Sequence, residues 1–226
     1  FQFMVDITLA GVFFTPNHIA AIGAAMPVML FALALMNAIS GGANLLLTMA
    51  IGRGDKEDSN RMFSLGVSGP FAVGIVFVVV IEIFAEPLVV LCGARTPELT
   101  QYAAQYLRYY ALVIPFAGVN RMVGSVCSTY GYIGKYMAES ITGILTNIIF
   151  SVLFIKTTSL GISSLGLGSA VSGGINLGLS WFIIRRSHIP LRLKLYRYRM
   201  KELGSALVHG VPGTADSLVD SMVSGI

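Results

Sequence analysis

Asp6 is the residue of this chain whose type and position best fit a chemical role. It lies inside an apolar run that ends near Phe14, and no residue of opposite charge lies within two helical turns of it. A low-dielectric helical bundle destabilises the ionised form of a carboxyl group, so the group can exchange a proton. An ionised carboxylate can instead offer oxygen ligands to a small cation. Either use makes Asp6 a candidate coupling site, whereas a position near a frayed helix end is the structural alternative.

A second set of polar residues lies far along the chain. Asn147 and Ser151 are four residues apart and therefore share one face of a helix. Together with Thr146 and with Ser169 of the next apolar run, they predict a polar strip inside a bundle. The same residue types also form ordinary hydrogen bonds between helices, so the spacing leaves both interpretations open.

The other ionisable residues in apolar runs have simpler explanations. Glu82 and Arg108 are expected at a membrane interface. Glu139 is expected to pair with Lys135, four residues earlier. Arg121 lies about ten residues from the end of its run, and we expect it to pair with a carboxylate across the bundle.

The chain lacks the patterns of the common enzyme classes. Gly52-Arg53-Gly54 has neither the spacing nor the Lys-Ser/Thr pair of a phosphate-binding loop, the three histidines have no metal-ligand spacing, and no nucleophile-elbow sequence occurs. Cys92 and Cys127 are predicted at opposite sides of a membrane, so no disulfide is expected. We expect no enzyme, no cofactor, no metal site and no nucleic-acid partner.

Six apolar runs must position these residues. Of the 226 residues, 55% are hydrophobic and only 12% are charged, whereas about 25% are charged in soluble domains. The composition predicts an all-α polytopic membrane protein, and each run except the first reaches the roughly 20 residues of a span. The predicted spans are Phe1–Phe14, Ile19–Ile51, Met62–Ala85, Thr100–Thr129, Tyr136–Ile155 and Leu165–Ile184. The first is shorter than a span, so helix 1 is expected to be truncated.

Several local features of these spans are also predicted. Pro16 lies in a polar turn before the second span, and Pro27 is expected to kink that span. A charged loop of about ten residues is expected before Met62. The fourth span begins with a tyrosine-rich amphipathic half, which is typical of a helix passing through the lipid headgroups; its tyrosines are Tyr102, Tyr106, Tyr109 and Tyr110.

The loop charges predict the topology. The loops after the second, fourth and sixth spans contain eleven Lys and Arg residues, and the other three loops contain two. Because positive residues favour the cytoplasmic side, we expect these three loops to be cytoplasmic in a plasma (inner) membrane. The organisation is then a lobe at 1–184, a basic linker at 185–202 and the start of a seventh helix at 203–226.

The basic linker allows two interpretations. It could form an interfacial helix that binds anionic lipid headgroups. The interpretation that we favour is an ordinary cytoplasmic linker whose charges set the topology.

The chain resembles the multidrug and toxin extrusion (MATE) family of secondary transporters along nearly its whole length. The matching pieces occur in order and at suitable spacing. They are Val5-Asp6 with Gly11, Ile19 to Gly23, Gly41-Gly42 through Gly52-Arg53-Gly54-Asp55, Tyr106-Leu107-Arg108 with Pro115-Phe116, Asn147-Ile148-Ile149 with Gly161, and Gly210-Val211-Pro212.

The resemblance implies a fold of two six-helix lobes that open alternately to the two sides of a membrane. It implies export of cationic, amphipathic compounds in exchange for protons or sodium by a full-length monomer, and a lone lobe is expected to be inactive. Asp6 matches the family's first-helix aspartate, and Asn147 and Ser169 match its polar partners. Ser151 stands where the family has a second aspartate, which weakens the case for sodium. Asp220 matches an acidic residue that some members have in helix 7.

We therefore predict a cation-coupled exporter in which protonation of Asp6 is the coupling step. One alternative is a related flippase for lipid-linked oligosaccharides, whose cavity would be arginine-rich. Another is a membrane scaffold without transport activity, in which Asp6 would have no reason to lie in the bundle.

Overall fold

The computed structural model describes residues 2–187, 189–194, 196 and 203–210. The described residues form seven α-helices and a further helical segment at 203–210, and they contain no strand. The all-α prediction is confirmed. The helices are α1 (Gln2–Phe13), α2 (Pro16–Gly52), α3 (Lys56–Leu91), α4 (Pro97–Ala111), α5 (Ile114–Thr129), α6 (Ile133–Thr157) and α7 (Ser163–Arg186).

The helices have the lengths and apolar character of a polytopic membrane protein. Four of them, α2, α3, α6 and α7, are long and apolar enough to cross a bilayer. α4 and α5 together make a fifth such unit, while α1 is a shorter apolar helix. Large apolar side chains point outward, including Phe31, Ile83 and Phe182, which are 62–66% exposed. Such a surface suits lipid rather than water.

α2 begins three residues earlier than predicted. Pro16 does not lie in a turn but starts the helix, and Thr15 precedes it in an extended conformation. Proline suits the first helical position because the N–H that it lacks would have no partner there and its φ already fits the helix. α2 then continues through Pro27 to Gly52 over 37 residues.

The predicted charged loop before Met62 is wrong in extent. α3 begins at Lys56, so most of the charged residues lie in its first two turns. Asp55 causes this early start, because its Oδ1 accepts hydrogen bonds from the backbone N–H groups of Glu57 and Asp58 at 3.0 Å. Only 53–55 separate α2 from α3.

α3 also extends beyond its predicted end at Ala85. It runs to Leu91, but Phe84 has non-helical backbone angles (φ −111°, ψ 18°) and marks a kink. Pro87 lies three residues later. It has no N–H for the carbonyl group of Ile83, and its ring crowds that carbonyl, so the helix bends instead of stopping.

The predicted fourth span is two helices, not one. α4 and α5 meet at an angle of 44° across Leu112 and Val113. Pro115 lies in the first turn of α5 and cannot bond to the carbonyl group of Ala111. The tyrosine prediction is also wrong for two residues, because Tyr106 and Tyr110 are buried in the bundle rather than placed among headgroups.

Helices α1 and α4 each pack against helices from distant parts of the chain. α1 contacts α2, α6 and α7, and α4 contacts α2, α3 and α7. The segment 203–210 lies directly against α2, where Gly42 meets the backbone of Ala206. A Cβ atom on Gly42 would lie 2.7 Å from the carbonyl carbon of Ala206, so only glycine allows this approach.

Two predicted ion pairs are not found. Lys135 Nζ donates to Ser187 Oγ at 3.0 Å instead of pairing with Glu139. Arg121 is exposed and makes no ion pair with a carboxylate in the described part of the chain. Arg108 does approach Glu82, with 3.9 Å between Nε and Oε1, which fits the predicted polar interface. The two cysteines are free, as predicted.

Candidate functional site

Asp6 lies in the interior of the bundle, where α1 meets α4 and α7. Its side chain has no exposed surface. Tyr106 Oη of α4 donates a hydrogen bond to Asp6 Oδ2 at 2.8 Å. Ser169 Oγ of α7 lies 2.9 Å from Oδ2 and 3.1 Å from Oδ1, so its single proton is shared between the two oxygens. The carboxyl group thus joins three helices that are distant in sequence.

Asn147 supports this arrangement from a fourth helix. Its Nδ2 donates to Ser169 Oγ at 2.7 Å, which leaves the proton of the serine hydroxyl for Asp6. Asn147 is fully buried, and its Oδ1 atom has no hydrogen-bond partner among the described residues. The predicted grouping of Asp6, Asn147 and Ser169 is therefore present as one connected set of hydrogen bonds.

Ser151 is buried beside this set but is not joined to it. It lies one turn of α6 beyond Asn147 and packs against Gly168 of α7. A Cβ atom at Gly168 would lie 2.8 Å from the backbone nitrogen of Ser151, so the two helices touch at this point. Within the part of the chain that the structure describes, Ser151 Oγ has no hydrogen-bond partner. Its predicted place on the polar strip is correct, but it gives Asp6 no ligand.

Tyr106 is the residue that sequence reasoning missed. It was expected among headgroups because of the neighbouring tyrosines, yet it is fully buried with its hydroxyl group on Asp6. The amphipathic pattern of α4 could have indicated its burial. Ala103 and Tyr110 lie about one turn before and after Tyr106 on the same face of the helix, and both are buried too.

The electrostatics of the site are those of an uncompensated carboxyl group. No cationic side chain among the described residues forms an ion pair with Asp6. Burial without a counter-charge disfavours the ionised form, and the hydrogen bonds from Tyr106 and Ser169 offset part of that cost. The described residues contain no group of three or more His, Cys, Asp or Glu side chains that could hold a metal ion. Asp220, predicted as a second acidic site, lies outside the described residues.

A second buried carboxyl group lies nearer the start of α6. Glu139 is 5% exposed, and its Oε1 accepts a hydrogen bond from Ser180 Oγ of α7 at 3.0 Å. Asn176 lies between the two carboxyl sites, against Gly143 of α6. Polar residues therefore follow the α6–α7 contact for several turns, as the strip prediction implies.

A comparison with protein-family models identifies the fold. The MatE model matches residues 1–153, which is more than half of the chain. The chain belongs to the MatE family. The residues of the candidate site in α1, α4 and α6 all fall within the matched range, and Ser169 lies just beyond it. The predicted resemblance is confirmed, and the family is one of membrane transporters.

Solved structures agree with this assignment. A MATE in the bent conformation has a TM-score of 0.82 with 19% identity, and the match covers 98% of this MatE chain and 50% of the other. The Vibrio cholerae MATE transporter VcmN in its bent form has a TM-score of 0.78 with 17% identity, and the match covers 99% of this chain and 51% of the transporter. A MOP superfamily transporter from Pyrococcus furiosus has a TM-score of 0.75 with 18% identity, and the match covers 98% of this chain and 49% of the transporter. A comparison with curated proteins returns no match.

These likenesses establish the fold. The MatE chain spans about half the length of the solved structures that it matches. The chain is a multi-pass membrane protein of a transporter family, and its described part corresponds to one helical lobe.

Proposed function

We propose that this chain is part of a secondary transporter that exports cationic, amphipathic small molecules by antiport, with a proton carried by Asp6 as the coupling ion. The observation that carries the proposal is the state of the Asp6 carboxyl group. It is fully buried, accepts hydrogen bonds from two other helices and has no cation partner among the described residues. Buried ionisable groups in membrane bundles mark ion and proton pathways.

The hydrogen bonds give protonation a mechanical consequence. Tyr106 and Ser169 donate to the ionised carboxylate from α4 and α7. When Asp6 takes up a proton, one carboxyl oxygen becomes a donor, so the hydroxyl groups must reorient and the contacts between three helices change. A proton can in this way bias the helices between two arrangements, which is the requirement for coupling.

Protons suit this site better than sodium. A sodium ion needs several oxygen ligands, and an anionic partner beside Asp6 would favour its binding. Ser151 stands at the position of the second family aspartate, and its hydroxyl group does not reach Asp6. Sodium coupling is the alternative, with the free Oδ1 of Asn147 as the available neutral ligand.

The transport cycle needs a second lobe. Alternating access in such folds is largely a rocking of two repeats about a site between them. We propose that the full-length protein contains a second six-helix lobe and works as a monomer in the plasma membrane. The α2–α3 turn and the basic segment after α7 would then face the cytoplasm.

The proposal is tested by Asp6→Asn in the full-length protein. Proteoliposomes are loaded with a fluorescent organic cation such as ethidium, and its movement is recorded with an imposed proton gradient or an imposed sodium gradient. We expect the proton gradient to drive transport by the wild type and not by Asp6→Asn, because asparagine keeps the shape and cannot take up the proton.

The control is Glu86→Gln, which removes an exposed carboxylate of α3 by the same type of substitution. It should transport like the wild type. Undiminished proton-driven transport by folded Asp6→Asn contradicts the proposal. Transport by the wild type that responds only to sodium contradicts the choice of ion.

A further inference from the structure

A cavity of about 860 Å³ lies at the end of the bundle opposite to the Glu82–Arg108 contact. Its walls are the first turns of α3, the last turns of α7 and the segment 189–194. Its volume falls in the range of small-molecule sites. The cavity lies apart from the Asp6 site, and neither Asp6 nor its hydrogen-bond partners line the cavity. The proposed role of Asp6 in transport therefore does not explain the cavity.

The charges around the cavity have one sign. Four basic side chains line it, and no acidic residue is among the described lining residues. Asp58 of α3 is close in sequence but is paired with Arg53, with 2.8 Å between Oδ2 and a guanidinium nitrogen. The basic residues are Lys56, Arg185, Arg192 and Lys194. Four cations that converge without a counter-charge favour an anionic ligand.

The segment 189–194 is held against α3 by hydrogen bonds and apolar packing. The backbone N–H of Arg192 donates to Asn60 Oδ1 at 2.6 Å, and that of Lys194 donates to Ser64 Oγ at 3.0 Å. Ile189 and Leu191 are buried and pack in the apolar cluster that includes Phe63 and Leu47. Arg192 and Lys194 are exposed and line the cavity, so the buried apolar residues hold the segment in place while its cations face the open space. The described residues 189–194 are not helical, so an interfacial helix is absent there.

The cavity also has the features of the headgroup layer. Arg185 lies over the ring of Trp181 at 5.3 Å, and Trp181 lines the cavity. The next residue, Phe182, is 62% exposed on the apolar flank of α7. Tryptophan beside arginine at the end of an apolar span is typical of the membrane–water boundary. A ligand here can place a charged group in the cavity and an acyl chain along α7.

We propose that this cavity binds the headgroup of an anionic phospholipid. The lysine and arginine side chains bind the phosphate and any second anionic group, and Trp181 lies at the glycerol level. The positive-inside distribution of the chain places this end in the cytoplasmic leaflet, where anionic lipids are present. The lipid would hold the segment after α7 against α3 and so fix the link between the lobe and whatever follows it.

The test uses the purified full-length protein in an uncharged detergent. Its melting temperature is measured during titration with short-chain phosphatidylglycerol, with short-chain phosphatidylcholine, and with inorganic phosphate. We expect phosphatidylglycerol alone to raise the melting temperature, with saturation. Arg185→Gln/Lys194→Gln should need roughly ten times more of this lipid for the same shift, because each basic residue near the surface contributes to the binding of anionic lipid.

The matched control is Arg95→Gln/Lys156→Gln, which removes one arginine and one lysine, both exposed, from the other end of the bundle. It should keep the wild-type response. Equal stabilisation by phosphatidylcholine, equal stabilisation by inorganic phosphate, or equal weakening in the control each overturns the proposal. If Arg185→Gln/Lys194→Gln does not fold, Lys56→Gln/Arg192→Gln removes the other two cations, and a wild-type response from it overturns the proposal too.

Discussion

Asp6 and Glu139 are two buried carboxyl groups of the same bundle, and their surroundings differ. Each accepts a hydrogen bond from a serine of α7, namely Ser169 for Asp6 and Ser180 for Glu139. Asp6 has a second donor from α4, and its serine is itself held by Asn147. Glu139 has one hydrogen bond in the described structure, and it joins only α6 and α7. Both residues are therefore buried, but they differ in the number of hydrogen bonds and helices that each carboxyl group joins.

The difference teaches how to distinguish a coupling group from a packing group. In the proposed mechanism, a proton that arrives at Asp6 would change contacts among three helices, whereas one that arrives at Glu139 would change a single contact between adjacent helices. The titratable groups that face Glu139 are Cys127 of α5 and Tyr136 of α6. Since Lys135 is bonded to Ser187, it does not fix the charge of Glu139. We therefore propose a coupling role for Asp6 and a local packing role for Glu139.

The largest effect that sharpens this comparison is expected from Tyr106→Phe. This change removes one of the two donors to Asp6, and a hydrogen bond to a charged group contributes about 1.5–3 kcal/mol. We expect proton-driven transport in proteoliposomes to fall at least about tenfold, since 1.4 kcal/mol corresponds to a factor of ten.

The control for this prediction is Tyr109→Phe, the same change on the same helix, where the hydroxyl group makes no contact with Asp6. It should transport at the wild-type rate. If both variants transport equally well, Tyr106 has no part in coupling.

An intermediate effect is expected from the paired serine variants Ser169→Ala and Ser180→Ala. Ser169→Ala should lower transport severalfold, because it removes a donor to Asp6 and leaves Nδ2 of Asn147 without its acceptor. Ser180→Ala should leave transport unchanged and destabilise the protein by about 1–3 kcal/mol, the cost of a buried acceptor that loses its donor. Transport assays and thermal unfolding separate the two outcomes.

Ser169→Thr completes this test because it keeps a hydroxyl group at the position and should restore transport. A loss of transport in Ser180→Ala equal to that in Ser169→Ala would remove the distinction between the two carboxyl groups.

The smallest effect is expected from Glu139→Gln. Glutamine retains the oxygen that accepts from Ser180 and removes the charge from a buried site, so the stability should stay within about 0.5 kcal/mol of the wild type or rise slightly. Transport should be unchanged. Thermal unfolding and proteoliposome assays measure both quantities, and a loss of transport comparable to that of Asp6→Asn would make Glu139 a second coupling residue.

The sequence predicted the membrane class and most of the candidate site. Asp6, Asn147 and Ser169 were singled out because polar groups are costly in lipid and their spacing gave them a common face. Tyr106 was missed because a tyrosine near the end of an apolar run is equally suited to headgroups. Which of these environments it occupies depends on how α4 packs against the other helices, and in the structure its hydroxyl group reaches Asp6 of α1.

The helix boundaries show the same limit. Pro16 was predicted in a turn and Pro27 at a kink, but the effect of a proline depends on where it falls in the packed helices. Pro16 starts a helix, Pro87 kinks one and Pro115 separates two. The Glu139–Lys135 prediction failed because a local pair four residues apart competed with partners from α7, which the sequence did not place.

The sequence by itself therefore determined that this chain is a bundle of apolar helices in a membrane, with one unpaired aspartate near its start. Hydrophobicity and the cost of burying charge act on each segment locally, so they are visible in the order of residues. Tertiary structure decided which donors reach Asp6, left Ser151 beside the site without a hydrogen bond to it, and gathered four cations around one cavity. Those features depend on how helices from distant parts of the chain pack together, and no local pattern encodes that.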